Sequence, residues 1–357
     1  MKTVALAVLM SAILLRADIT EQKSNTEESL RGISVVSPTM AWASGTHGTY
    51  LRTTDRGSSW EVGKVPGAEA LDFRDVQAFS SDLAYLLAAG PGEQSRIYKT
   101  TDAGKNWTLQ FTNREPKGFF DCMAFWDDDH GIAVGDPVDG KFQLIKTDNG
   151  KDWKAIPAAK LPAAVEGEGA YAASGTCIAV QGKQNVWFVT GGSAARVFRS
   201  QDAGESWSVA ETPIVHGPAS AGIFSVAFRD GKHGVIAGGD YKEPNKEDHS
   251  LAFTNDGGKT WQLSGLSPQK YFSAVAFDPS RSKRVVAAGT AQYASGKSVN
   301  EKKWEVFLPL VRTSSSQQES AQLNAVGVSP KNSKIWVVGA KGAIFFIDDI
   351  CRACSKK

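Results

Sequence analysis

The chain reads as all-β, a single seven-bladed β-propeller. Three observations predict it: a ten-residue phrase written five times, seven copies of a short apolar strand pair, and a composition generous in glycine and tryptophan. The phrase appears as RTTDRGSSWE from Arg52, KTTDAGKNWT from Lys99, IKTDNGKDWK from Ile145, RSQDAGESWS from Arg199 and FTNDGGKTWQ from Phe253. Its tryptophans, Trp60, Trp107, Trp153, Trp207 and Trp261, stand 47, 46, 54 and 54 residues apart. A sixth, Trp304 in SVNEKKWEV, follows without the Asp and Gly. Periods of roughly 40 to 50 residues belong to propeller blades and similar arrays.

The text between the phrases repeats as well. Each unit opens on a short apolar strand: GISVV, DVQAF, CMAFW, CIAV, SVAF, AVAF and AVGV. A second strand follows and ends in glycine, as in AWASG, AYLLAAG, GIAVG, VWFVTGG, GVIAGG, VVAAG and IWVVG. A third, such as RIYKT or RVFRS, enters the phrase, and a fourth leaves its tryptophan. Alternating or continuously apolar runs bounded by turn residues are strands, here four to a unit. The seventh unit has only three, ending at AIFFIDD. A ring needs a fourth there, and residues 19–28 can supply it, covering an edge that an open array would expose.

The domain plan is therefore a leader at 1–17, one propeller over 18–350 and a tail at 351–357. Lys2 and the apolar run TVALAVLMSAILL resemble a secretory signal, too short for a transmembrane helix. The expectation is an exported protein, periplasmic or extracellular, without an integral span once the leader is removed, and monomeric. No cysteine lies near the leader to receive a lipid. A net charge of +2, from 40 basic and 38 acidic residues, argues against nucleic acid as a partner. Four cysteines remain, with Cys351 and Cys354 in the tail CRACSKK. Cys122 and Cys177 occupy the same column of neighbouring first strands; equivalent side chains point the same way, so free buried thiols are expected. No metal site or cofactor is predicted.

The phrase fits Ser/Thr-x-Asp-x-Gly-x-Ser/Thr-Trp and falls between strands three and four. An Asp carboxylate accepts backbone N–H bonds in a turn, Gly takes positive φ, and Trp fills the space between sheets. It resembles the Asp-box, or bacterial neuraminidase repeat. The structural residues are Asp55, Gly57 and Trp60; Asp102, Gly104 and Trp107; Asp148, Gly150 and Trp153; Asp202, Gly204 and Trp207; and Asp256, Gly258 and Trp261. The third copy departs, with Lys146 where the first Ser/Thr belongs. Five carboxylates spread around a ring cannot converge on one substrate, so the phrase is a joint rather than a site. The turn WDDDHG, which looks metal-binding, falls on the same end and reads as a hydrated turn.

Binding then belongs to the opposite end, where the 2–3 loops and the links between blades emerge. Units three to five carry the longest of these. The candidates are Asp136 and Asp139 in GDPVDGKF, Glu168 and Tyr171 in the link before the fourth unit, Arg196 after TGGSAA, His216, and Asp240 with Tyr241. Such a face suits a protein or glycan partner.

Two families share these features. Sialidases carry Asp-boxes on propellers, and the resemblance implies an arginine triad, a Tyr–Glu pair and an Asp acid. Their Arg-Ile-Pro motif is missing, though Arg31, Arg74, Arg96 and Arg312 can reach the loop face. The strings FDCMAFWDDDHGIAVGDPVDGKF, GEGAYAASGTCIAV and TGGSAARVFRSQDAGESW are more specific. They resemble the photosystem II stability/assembly factor family and its non-photosynthetic bacterial relatives, over about residues 30–350. That resemblance implies an exported, non-catalytic propeller with a binding or assembly role. The alternative is a glycoside hydrolase of sialidase-like type.

Overall fold

The computed structural model describes residues 18–348 apart from 266–268, 282, 291, 298–304, 308–309, 313–317 and 321. The leader, Trp304 and the tail cysteines lie outside the described residues, as does the side chain of Arg312.

Seven antiparallel sheets form the described blades. Blade 1 runs Leu30–Ser37, Met40–Gly45, Thr49–Thr53, Glu61–Lys64, and blades 2, 3, 4 and 6 repeat that four-strand meander. Blade 7 is completed as its sequence demands. Asp18–Gln22 pairs with Ile344–Asp348, in register from Asp18 against Asp348 to Gln22 against Ile344. Gln22 fastens this closure. Its Oε1 accepts from the indoles of Trp60 at 3.0 Å and Trp336 at 3.2 Å, and its Nε2 donates to the Arg56 carbonyl at 2.8 Å. One amide thus joins the first blade to the last.

Inner strands are held to their neighbours by a ring of polar side chains near the axis. Ser34 accepts from the Ala78 amide at 3.0 Å, Asp75 from Met123 at 2.7 Å, and Ser225 from Val275 at 2.9 Å. Thr176 and Ser225 share a hydrogen bond of 2.7 Å, Ser273 donates to the Asn324 carbonyl at 2.9 Å, and Asn324 donates to that of Leu30 at 2.7 Å. At the remaining joint, between blades 3 and 4, the tie is covalent: Cys122 and Cys177 form a disulfide. The expectation of free thiols is corrected. Equivalent side chains do point the same way, but that way is around the ring, so each reaches the next blade's copy of itself. The two Cα atoms lie 5.9 Å apart, within bonding range.

The repeated turns close on themselves. In the second, the Thr100 hydroxyl donates to Asp102 Oδ1 at 2.9 Å and accepts from the Gly104 amide at 3.0 Å. Asp102 also takes the Asn106 amide at 2.9 Å and side chain at 2.7 Å. Ala103 and Gly104 both have positive φ, at 66° and 86°, the conformation for which glycine is chosen. A hydrogen bond from the Ser59 hydroxyl, then one from its amide, holds Asp55 down to about 2. Partial burial opposes the same effect at Asp202 and Asp256, yet the hydroxyls of Ser206 and Thr260 still bring both to about 2. The third copy is one residue shorter than its phrase suggests. There Asn149, not Asp148, takes the amides of Lys151 at 3.0 Å and Asp152 at 2.9 Å, while Asp148 pairs with Lys146 at 3.1 Å. The turn Trp126–Gly131 is likewise self-contained, Asp127 accepting from the amides of Asp129 and His130 and facing the His130 ring at 2.7 Å.

Candidate functional site

Strand direction fixes which residues share an end. In blade 3, Gly131 pairs with Thr147, at the mouth of the repeated turn, while Val138 pairs with Lys141 at the opposite end. Asp136 and Asp139 therefore lie away from the repeated turns, as does Asp240 at the close of Gly234–Asp240.

One stretch of chain organises that end. The link before blade 4 turns inward at Glu168 and crosses the axis before entering blade 4 at Ile178–Gln181. Its contacts come from five blades. The Glu168 carboxylate takes the Thr190 hydroxyl at 2.6 Å, Arg196 Nε at 2.9 Å and the Val165 amide at 2.8 Å, with Arg196 Nη2 closing the ion pair. The Ala170 amide donates to Asp136 at 2.9 Å. The Tyr171 hydroxyl donates to the Ala219 and Ala221 carbonyls, at 2.9 and 3.0 Å. Arg74 donates to the Ala172 carbonyl at 2.8 Å, and Ser174 to that of Ser273 at 2.9 Å. The disulfide pins the far end at Cys177. Gly191 and Gly222 leave room for the Tyr171 ring, since a Cβ on Gly191 would stand 2.2 Å from it.

The crossing segment divides the axial channel into two wells. Tyr171, Ala172 and Ala173 line the one on the loop face, about 490 Å³; Ser174, Gly175 and Thr176 line the other, about 760 Å³, on the face of the repeated turns.

The loop-face well is built from aromatics and guanidinium groups. Tyr171 stacks on Phe224 at 4.1 Å, and Tyr271 and Tyr241 meet Phe224 edge-on at 5.0 and 6.1 Å. Tyr241 is 47 % exposed and stands at the mouth. On the other wall Arg74 is held by Asp72 at 2.7 Å. Arg31 beside it has no acceptor for Nε among the described residues, and burial, then the Arg74 charge, lowers its pKa. Two cations against one carboxylate leave the well electropositive, with aromatic surface opposite: a fit for an acidic group on an apolar or aromatic body. Behind it, Asp121 is fully buried. Burial and then the Asp136 charge raise its pKa well above the carboxylate range, and burial raises Asp136 too.

Of the eight residues expected to bind, Tyr171 and Tyr241 line this well. Glu168 and Arg196 are spent on each other, and Asp136 anchors the crossing segment. Asp139 is an exposed turn residue with φ of 50°, His216 hydrogen-bonds the Ile214 carbonyl at 2.9 Å, and Asp240 accepts from the Lys242 amide at 2.9 Å. None of these three lines the well. Sequence reasoning passed over Phe224, inside the inner strand Ala221–Phe228, and Tyr271, just before the strand Ala274–Phe277; neither carries a motif. Arg31 and Arg74 were visible only as unpatterned arginines.

No family model matches the chain. It is 24 % identical over 262 residues to the photosystem II assembly lipoprotein Ycf48 of Synechococcus sp. (strain CC9902), covering 71 % of this chain and 68 % of that protein. A solved structure of YCF48 bound to D1 peptide superposes with a TM-score of 0.63 at 14 % identity, covering 93 % of this chain and 96 % of that one. The GH74 xyloglucanase of Xanthomonas campestris superposes with a TM-score of 0.64 at 14 % identity, over 92 % of this chain and 53 % of the enzyme. The chain thus resembles the photosystem II assembly factors in sequence and shares the seven-bladed fold with them.

Proposed function

We propose that this is an exported, non-catalytic propeller that captures a segment of a protein partner in its loop-face well. The observation that carries the reading is the pairing of Arg31 and Arg74 with the Tyr171–Phe224–Tyr241–Tyr271 wall in one cavity of about 490 Å³. That volume lies within the range of ligand sites and holds a few side chains rather than a domain. A resembling propeller is solved with a peptide bound, which supports a protein ligand over a glycan. The wall gives apolar contact area with little rotamer entropy to lose, and Arg31 supplies a donor for an acidic group.

The test is capture by the full chain from an exported fraction and from a peptide array, beside a glycosidase panel. Tyr241→Ala and Arg31→Gln should each weaken capture at least tenfold while the melting temperature barely moves. Unaltered capture by both variants would remove the well from the function. A second reading, glycoside hydrolysis, is favoured by the buried Asp121 close to Asp136, two carboxyls that burial pushes above the usual carboxylate range. Hydrolysis of a xyloglucan or sialoside, lost on Asp136→Asn, would make it the better one.

A further inference from the structure

The second well opens on the face of the repeated turns and belongs to no part of the reading above. Its inner wall is apolar, from Ile33, Val76, Met123, Ile178, Val226 and Val275, while Arg229, Asp230, Asp278 and Lys283 also line it, and its volume is about 760 Å³. Its floor is the underside of the crossing segment, and against it sits Asp75, only 6 % exposed. One carboxyl oxygen of Asp75 ties blade 2 to blade 3 through the Met123 amide. The equivalent ties at other joints are made by hydroxyls, Ser34 and Ser225. A serine would serve the joint, so the carboxyl brings more than the joint requires. Its other oxygen faces Gly175, where a Cβ would stand only 2.4 Å away; the glycine keeps that space clear. No cationic side chain pairs with Asp75 among the described residues. A carboxyl buried without a counter-charge costs stability, and burial accordingly pushes it up to about 8. A carboxyl desolvated in this way and lining a cavity is a candidate binding group.

We propose that this well binds a small ammonium compound with an apolar body, its cation seated on Asp75 and its carbon skeleton against the ring of inner-strand side chains. Opposite charge in a low-dielectric pocket supplies the missing partner, and the walls supply desolvated apolar contact. The site is separated from the loop-face well by the crossing segment, so it stands or falls apart from the proposed function.

The experiment is isothermal calorimetry on the full chain at neutral pH with butylamine, hexylamine and octylamine, beside the matching alcohols and carboxylates. The amines should bind saturably, more tightly with chain length, and the alcohols and carboxylates at least tenfold more weakly. The measured enthalpy should vary with the buffer, because a seated cation displaces the proton Asp75 holds. Asp75→Ser should abolish binding while leaving the fold intact, as judged by its melting temperature; Asp75→Asn should do the same. Arg31→Gln and Tyr241→Ala should leave amine binding unchanged. Absence of amine binding at millimolar concentration, equal binding of alcohols, or wild-type affinity in Asp75→Ser would each overturn the proposal.

Discussion

The repeated turns and the crossing segment 168–177 are both connections between strands, yet they are wired in opposite ways. In a repeated turn the hydrogen bonds join residues two to four apart, as from Thr254 to Asp256 and from Thr260 to Asp256. In the crossing segment the bonds that anchor it to the blades join residues 22 to 99 apart, from Thr190 to Glu168 and from Ser174 to Ser273. A locally wired turn can be copied five times, because each copy brings its own partners. A segment wired to five blades can exist once, and only in the finished ring. The first sets blade geometry; the second shapes the cavities. Local wiring also confines damage, whereas long-range wiring spreads it.

That contrast can be broken from either side. The largest loss should follow Glu168→Ala, which strands Arg196 in the interior. Breaking one partner of a buried pair costs about 3–5 kcal/mol, and chemical denaturation should show it together with weakened ligand capture. Replacing Cys122 and Cys177 together by serine should cost about 4 kcal/mol from the loop that 55 residues of separation leave open. A reducing agent added to the denatured wild type should reproduce that shift, and an unchanged midpoint would mean the bond contributes nothing. Gln22→Ala leaves the Trp60 and Trp336 indoles without their acceptor and should cost about 1–3 kcal/mol, with ligand capture untouched. Asp256→Ala should cost about 1 kcal/mol, since the remaining turn residues still meet water. If it abolished capture instead, the turns would not be mere joints.

Acid and alkali should separate the two kinds of carboxyl. Asp55, Asp202 and Asp256 hold folded values near 2, below the ordinary 3.8. Their contribution is present above about pH 4 and disappears as the pH falls through 2. Asp75 carries the opposite sign. Between 3.8 and about 8 the folded chain keeps a proton that the unfolded chain has lost, so stability declines across that window. Melting temperature should therefore fall between about pH 4 and 8 in the wild type and level off above that window, and fall less in Asp75→Ser.

Legibility in the sequence follows the same division. The blade count, the strand order and the closing strand were all readable, because periodic residues such as Trp60, Trp107 and Trp207 report local environments that recur. The third turn escaped, since a phrase aligned on Trp153 hides the missing residue that moves the acceptor to Asn149. At the loop end, polarity pointed to Glu168 and Arg196, yet each had the other as its partner across 28 residues. The aromatic wall was illegible for a related reason. Phe224 and Tyr271 read as core in or beside their strands, and only the folded ring brings them around one opening. The disulfide was misjudged because column position was visible and the tangential direction of that column was not.

The seam fastened by Gln22 has a kinetic meaning. Trp336 donates to Gln22 across 314 residues of chain, whereas the joints between neighbouring blades span about 50. Loop-closure entropy grows only with the logarithm of length, so this last contact costs only about 1–2 kcal/mol more than an ordinary joint. Its order of events is the stricter constraint. The strand at 18–22 precedes every other described strand in the chain, and until residues 344–348 arrive the edge it joins does not exist. The ring therefore closes in one final step between the two ends of the propeller. A strand supplied in trans, spanning residues 18–22, would be the simplest probe of that step, slowing closure by occupying the edge that Gln22 must reach.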